Sequence, residues 1–287
     1  MHARRAFLGL AAAAPFALAA PRLARAAGTA KLGFAPWADA EFITRLAARL
    51  AEQKLGMKVE LVQTDVAPLY QGLARGDVDA MLMCWLPKTH ADYWQRVEGK
   101  AERLGVLYNG AKLGWVVPAY VPESELASIA DLAKDDVRGK LSGRIQGIEP
   151  GAGLTRLSRQ TIADYGLDYT LQESSEAAML SMVERSIRRK QWIVATAWSP
   201  HWMFGKHELR YLADPKGALG GAEEVIALGR PGLRQAQPQL AAFLSKLNMP
   251  LAELEAAMLV AQEKDNDAAV EAYISEHASR VNGWFAG

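Results

Sequence analysis

Cysteine is almost missing from this chain: Cys84 stands alone among 287 residues, which excludes an internal disulfide and any cysteine-based zinc site. Histidine is nearly as sparse. The four beyond residue 26, His90, His201, His207 and His277, are too scattered for a recognisable metal motif. No G-x-S-x-G elbow, Walker loop, H-E-x-x-H or dinucleotide glycine fingerprint occurs, so the chemistries those motifs carry have no local signature here. Charge of one sign is also lacking. The formal net charge is +1, and without Arg4, Arg5, Arg22 and Arg25 of the first segment it is −3, with 29 basic against 32 acidic groups. The longest basic run is Arg188-Arg189-Lys190, so nothing marks a nucleic-acid-binding face. What is present is the balance of a globular protein with a substantial core: half the residues are hydrophobic and 23% are charged. That composition excludes disorder over most of the chain, and the length suits one large domain or two of ordinary size.

Residues 1–26 read as an export signal, with Arg4 and Arg5 as the charged end, Ala6 to Ala20 as the apolar stretch and Ala24-Arg25-Ala26 as an A-x-A cleavage site. The stretch is shorter than the roughly 20 residues of a spanning helix and is interrupted by Pro15, which argues against a retained anchor. Arg4-Arg5-Ala6-Phe7-Leu8 also resembles a twin-arginine signal, and both export routes stay open. No later segment reaches 18 uninterrupted apolar residues, so a soluble exported product is expected.

Beyond the signal, short apolar runs alternate with stretches of helical spacing, the grammar of an α/β sheet. Strands are predicted at Lys31–Phe34, Val59–Gln63, Ala80–Trp85 and Gly114–Val117, then at Ile145–Ile148, Tyr169–Gln172 and Trp192–Ala197. Helices are predicted at Asp39–Leu55, ended by Gly56, at Leu69–Arg75, ended by Gly76, and at Ser174–Lys190, with Ser174 as N-cap. The break after Pro118 divides two α/β units. From about Gln237 the pattern is only helical, and so short a tail is expected to pack on one of them.

Eight tryptophans stand out. Trp94, Trp192, Trp202 and Trp284 are assigned to core by default, whereas Trp37, Trp85 and Trp198 each sit at the carboxyl end of a predicted strand, where ligands bind in open α/β sheets. Aromatic faces converging there suit a cation that donates no hydrogen bonds, a quaternary ammonium; core packing is the alternative. Gly151-Ala152-Gly153 before a helix from Leu154 is either a plain turn or an anion site made of free helix amides. Cys84, inside an apolar strand, reads as an inert buried thiol rather than a nucleophile.

These residues lie in stretches that together resemble the glycine-betaine-binding proteins of ABC importers, the quaternary-amine branch of periplasmic substrate-binding proteins. The stretches are Met83-Cys84-Trp85-Leu86-Pro87-Lys88-Thr89-His90, Gly114-Trp115-Val116-Val117-Pro118, Ile148-Glu149-Pro150-Gly151-Ala152-Gly153-Leu154, Glu173-Ser174-Ser175-Glu176-Ala177-Ala178-Met179 and Trp198-Ser199-Pro200-His201-Trp202-Met203-Phe204. The resemblance implies that Trp37, Trp85 and Trp198 box a trimethylammonium group. It also implies that His90 and the amides of Gly153 and Leu154 hold a carboxylate. Trp115 departs from the pattern, as a fourth wall or as lobe packing; His201, beside Trp198, reads as structural. Asp39 resembles the acid that choline-binding relatives place near the ligand hydroxyl, although an N-cap role for the helix beginning near Ala40 is the reading preferred here.

The expectation is therefore a type II-like, two-lobed periplasmic binding protein. Lobe one comprises residues 30–117 plus 222–287 and lobe two residues 118–221, with the ligand cleft between them. The ligand is glycine betaine or proline betaine, with choline as the alternative, and the partners are the permease and ATPase of an importer. A monomer with no cofactor, no metal, no nucleic acid and no membrane anchor is expected. An enzyme acting on a small quaternary amine is the rival from another class, but no nucleophile and base stand at meaningful spacing.

Overall fold

The computed structural model describes residues 28–286; the predicted export signal lies outside them. The chain opens with β1 (Thr29–Phe34), α1 (Ala38–Leu55), β2 (Lys58–Gln63), α2 (Val66–Arg75), β3 (Ala80–Leu86) and α3 (Ala91–Val97). Strand β1 lies between β2 and β3, parallel to both. Helix α1 forms because Phe42, Ile43, Leu46 and Leu50 recur on one face, which is fully buried. It stops at Gly56, whose left-handed φ of 64° lets its N–H return to the Ala51 carbonyl.

The next strand, β4 (Glu102–Pro118), is 17 residues long and joins the two halves of the molecule. There follow α4 (Asp135–Leu141), β5 (Arg144–Gln146), α5 (Gly153–Asp164), β6 (Thr170–Gln172), α6 (Glu176–Arg188), β7 (Ala195–Ser199), α7 (Met203–Lys206), β8 (Leu209–Tyr211) and β9 (Ala222–Gly229). The chain ends in α8 (Leu233–Ala236), α9 (Pro238–Lys246), α10 (Leu251–Glu263), α11 (Asn266–Glu276) and α12 (Ala278–Gly283). The strands run in the order β2-β1-β3-β9-β4-β7-β5-β6, with β8 also on β4. Lys112 is where β4 changes neighbours: it pairs with Ala222 of β9 and with Ser199 of β7. Helices α9, α10 and α11 pack on α1, as expected of the tail, and α10 also meets α7.

Three local expectations are corrected, and one strand has no counterpart among them. Gly114–Val117 is only the end of β4, whose earlier part carries Gly105, Asn109, Gly110 and repeated register shifts that erase the two-residue period. Strand β9 had no clear sequence signal because Glu223 and Glu224 open it. Trp192 precedes its predicted strand, which begins at Ala195. The cap of α6 is Ser175, whose hydroxyl accepts from the Ala178 N–H, while Ser174 donates to the Gly147 carbonyl.

Candidate functional site

The carboxyl ends of β1, β3 and β7 and the start of α5 converge on one pocket of about 290 Å³. Its walls are Trp37, Trp85 and Trp198, with Asp39, Thr89, His90, Leu113, Ile148, Ala152, Gly153 and Leu154 between them. Of the nine residues that the sequence points to, Trp37, Asp39, Trp85, His90, Gly153, Leu154 and Trp198 line this pocket, His201 packs edge-on against Trp198, and Trp115 lies outside the lining. The three indoles come from three separate elements, with Trp37 at the cap of α1, Trp85 near the end of β3 and Trp198 near the end of β7. All three are buried, at 6%, 3% and 3% exposure, so a ligand between them is largely cut off from water. Cis peptides at Leu86–Pro87 and Ser199–Pro200 follow the second and third indoles.

Two of the indoles are fixed by carboxylates from across the pocket. Trp37 Nε1 donates to Glu149 Oε1 at 2.5 Å, and Trp198 Nε1 donates to Asp39 Oδ1 at 2.9 Å. The preferred N-cap role for Asp39 is thereby overturned. Trp37 occupies the cap position, and the Asp39 carboxylate turns inward, where Oδ2 accepts from the Tyr108 hydroxyl at 2.6 Å. Burial pushes the carboxyl of Asp39 up, opposed by the bonds from Tyr108 and Trp198, and the nearby charge of Glu176 adds to the rise. Burial likewise raises Glu149.

His90 lines the same pocket. Its ring lies 5.7 Å from Trp37, stacked, and it is 1% exposed. The Trp85 backbone N–H donates to Nδ1 at 3.2 Å; a backbone amide can only donate, so the ring proton belongs on Nε2. Nε2 is buried and has no partner among the described residues. Burial brings the imidazole down to about 3 against the raising effect of the Met83 backbone, so it is neutral at ordinary pH. Gly153 and Leu154 are the first two residues of α5, with no side-chain cap before them, and their amides lack intrahelical acceptors by position. The Arg156 guanidinium, one turn on, donates to the Thr89 carbonyl and bears on His90.

Asp39 feels Glu176 and His201, whereas His90 feels Arg156, and no lysine or arginine is among the described lining residues. His201 is structural: the Met203 N–H donates to its Nδ1, and its Nε2 lies 3.1 Å from Glu176, whose other oxygen accepts from the Ala38 amide of α1. Trp115 is fully buried outside the lining and donates to Ser158 of α5 at 2.9 Å, so it packs in the lobe and is not a fourth wall. Core assignment holds for Trp202 and Trp284, but Trp94 and Trp192 are half-buried, under Arg103 and Lys140 respectively. Cys84 is fully buried and its thiol pushed up to about 12, as for an inert thiol. Tyr108 and Leu113 carried no sequence signal, and Glu149 and Glu176, although within the stretches that carry the resemblance, were given no site role, since each is tied to the site by distant parts of the chain. Among the described residues no cluster of three metal-ligating side chains forms, and no helix is long and apolar enough to cross a membrane.

Two α/β halves joined by a shared strand and closing on an aromatic pocket are the architecture of a two-lobed substrate-binding protein. The family described as the substrate binding domain of ABC-type glycine betaine transport systems matches residues 28–276, and the chain belongs to it. The glycine betaine/carnitine transport binding protein GbuC of Listeria monocytogenes is 34% identical over 159 residues, 54% of this chain and 53% of that protein. The chain thus matches about half the length of that relative. Among solved structures, lactococcal OpuAC in a closed conformation with glycine betaine has a TM-score of 0.82 and 35% identity, covering 90% of this chain and all of that one. A choline-binding protein in complex with choline has a TM-score of 0.80 and 25% identity, covering 89% and 91%.

Proposed function

We propose that this protein captures glycine betaine or proline betaine outside the cytoplasm and delivers it to the permease and ATPase of an ABC importer. The observation that carries the reading is one pocket lined by three buried indoles together with a buried imidazole nitrogen and the first amides of α5. The indoles of Trp37, Trp85 and Trp198 take the trimethylammonium group, each face contributing up to about 2 kcal/mol in a desolvated cage. His90 Nε2 and the amides of Gly153 and Leu154 take the carboxylate.

In this reading residues 30–117 plus 222–287 form one lobe and 118–221 the other, residues 1–26 direct export to the periplasm, and the protein acts as a monomer. Choline is the second reading, favoured by Asp39 on the pocket wall. It is weakened because each carboxylate oxygen already accepts one bond, from Tyr108 or Trp198, and a hydroxyl would have to share it. Calorimetric titration with glycine betaine, proline betaine and choline tests the assignment: the two betaines are expected to bind in the micromolar range, and binding of none of them would overturn it. Recovery of the bound betaine unchanged, by mass spectrometry, separates a binding protein from an enzyme; its conversion to product would favour the latter.

A further inference from the structure

Aromatic faces alone do not demand a positive charge, because a neutral tert-butyl group of the same shape also gains by leaving water for an apolar box. The pocket contains one feature that such a group would not satisfy. Asp39 is 0% exposed and lines the cavity. Its two described partners, the Trp198 indole and the Tyr108 hydroxyl, are neutral. No lysine or arginine stands among the described lining residues, and the one lining imidazole is neutral. The His201 imidazole nearby is shared with the Glu176 carboxyl, 3.1 Å from its Nε2; a buried carboxylate with only neutral hydrogen-bond partners is costly, and the group best placed to compensate it is the ligand's own cation.

We infer that Asp39 is the charge-reading residue of the cage: it restricts the pocket to ligands bearing a positive charge and at the same time fixes the plane of Trp198. The inference rests on the betaine-binding reading above. The indole N–H can only donate, so Oδ1 must remain an acceptor, and Oδ2 is held by Tyr108 at 2.6 Å. The residue therefore acts through charge at short range and through the orientation of one wall. Each of its oxygens already accepts one bond, so a ligand hydroxyl would have to share them.

The test compares glycine betaine with 3,3-dimethylbutyrate, which replaces the quaternary nitrogen by carbon and keeps the shape and the carboxylate. Wild type is expected to prefer glycine betaine more than tenfold, and Asp39→Asn to cut that ratio about tenfold or more. The fall should come from weaker betaine binding, with 3,3-dimethylbutyrate bound as well as before or better. Tyr108→Phe keeps the charge and is expected to keep the ratio even where both affinities drop. Equal losses for both ligands in Asp39→Asn would reduce the residue to a structural prop and overturn the inference. Equal affinities in wild type would overturn it without any variant, so poor folding of Asp39→Asn leaves it testable. Failure of wild type to bind glycine betaine would overturn the betaine reading itself, a separate outcome.

Discussion

Gly153 faces Thr89 across the cleft so closely that a Cβ on the glycine would lie 2.2 Å from the Thr89 carbonyl oxygen. That oxygen is backbone, and its loop is pinned from behind, because the Thr89 N–H and hydroxyl both donate to the buried Glu223 of β9. An added methyl group thus opposes closure while leaving α5 free to form, alanine being well suited to the start of a helix. Gly153→Ala is expected to weaken glycine betaine binding at least tenfold with little change in the melting temperature of the ligand-free protein. Solution scattering provides the companion measurement: ligand should reduce the radius of gyration of wild type and not of the variant. Unchanged affinity in Gly153→Ala would mean that the two lobes hold the ligand without approaching this closely.

Trp198 supplies both a cage wall and the donor to Asp39 Oδ1, two roles that separate on substitution. Trp198→Ala removes the face, leaves a cavity and unpairs a buried acceptor, and is expected to lower affinity tenfold or more. It should also cost roughly 3–5 kcal/mol of stability, typical of a buried Trp→Ala change. Trp198→Phe keeps a π face without the N–H and should fall between wild type and alanine in affinity. Titration of both variants beside thermal melts checks this; an alanine variant with wild-type affinity would remove Trp198 from the cage.

The history of Asp39 explains how far the sequence can be read. Helix α1 was legible because its signals are local: four apolar residues on one face and a glycine at its end. Local rules also made Asp39 look like a cap, yet its partners Tyr108 and Trp198 lie 69 and 159 positions away. Glu149 and Glu176 escaped notice for the same reason, since the atoms they accept from belong to Trp37 and Ala38 at the start of α1. Strand β9 was hidden by Glu223, an acid that reads as a polar turn and is in fact buried to hold Thr89. The aromatic walls were legible because each follows directly on an apolar strand, a relation visible in a few adjacent residues.

His90 gives a prediction in pH. Burial lowers its folded value to about 3, below the unfolded value of about 6.5, so the unfolded chain takes up a proton that the folded chain refuses. The stability attached to neutral His90 is present above about pH 6.5 and is lost as pH falls toward 3. Between pH 6 and 4.5, wild type is expected to lose about 1.4 kcal/mol per pH unit more than His90→Gln, the slope of one proton. Denaturant melts across that window measure the difference, and the ring nitrogen signals of His90 in nuclear magnetic resonance should stay those of a neutral imidazole down to pH 5. A His90 that titrates near 6.5 in the folded protein would show the ring to be solvated.

Discrimination between glycine betaine and choline is expected to reside at the His90 end of the pocket. The cage meets the same trimethylammonium group in both ligands and has no means of telling them apart. The same pocket carries three donors, His90 Nε2–H and the amides of Gly153 and Leu154, and Nε2 is buried without a partner among the described residues. A carboxylate has lone pairs for all three, whereas one hydroxyl does not, and each buried donor left unpaired costs roughly 1–3 kcal/mol. Wild type should therefore prefer glycine betaine by about ten- to a hundredfold. Asp39 pulls the other way, since each of its oxygens keeps a lone pair beyond the bond from Tyr108 or Trp198, but one such bond to a hydroxyl does not offset the buried donors left unpaired. His90→Ala is expected to narrow the preference about tenfold, mainly by weakening betaine while choline changes little. Titration of both ligands against wild type and variant decides it: tighter binding of choline by wild type would make the Asp39 end the reader of the ligand's tail, and an unchanged ratio in His90→Ala would leave the two amides as the discriminating donors.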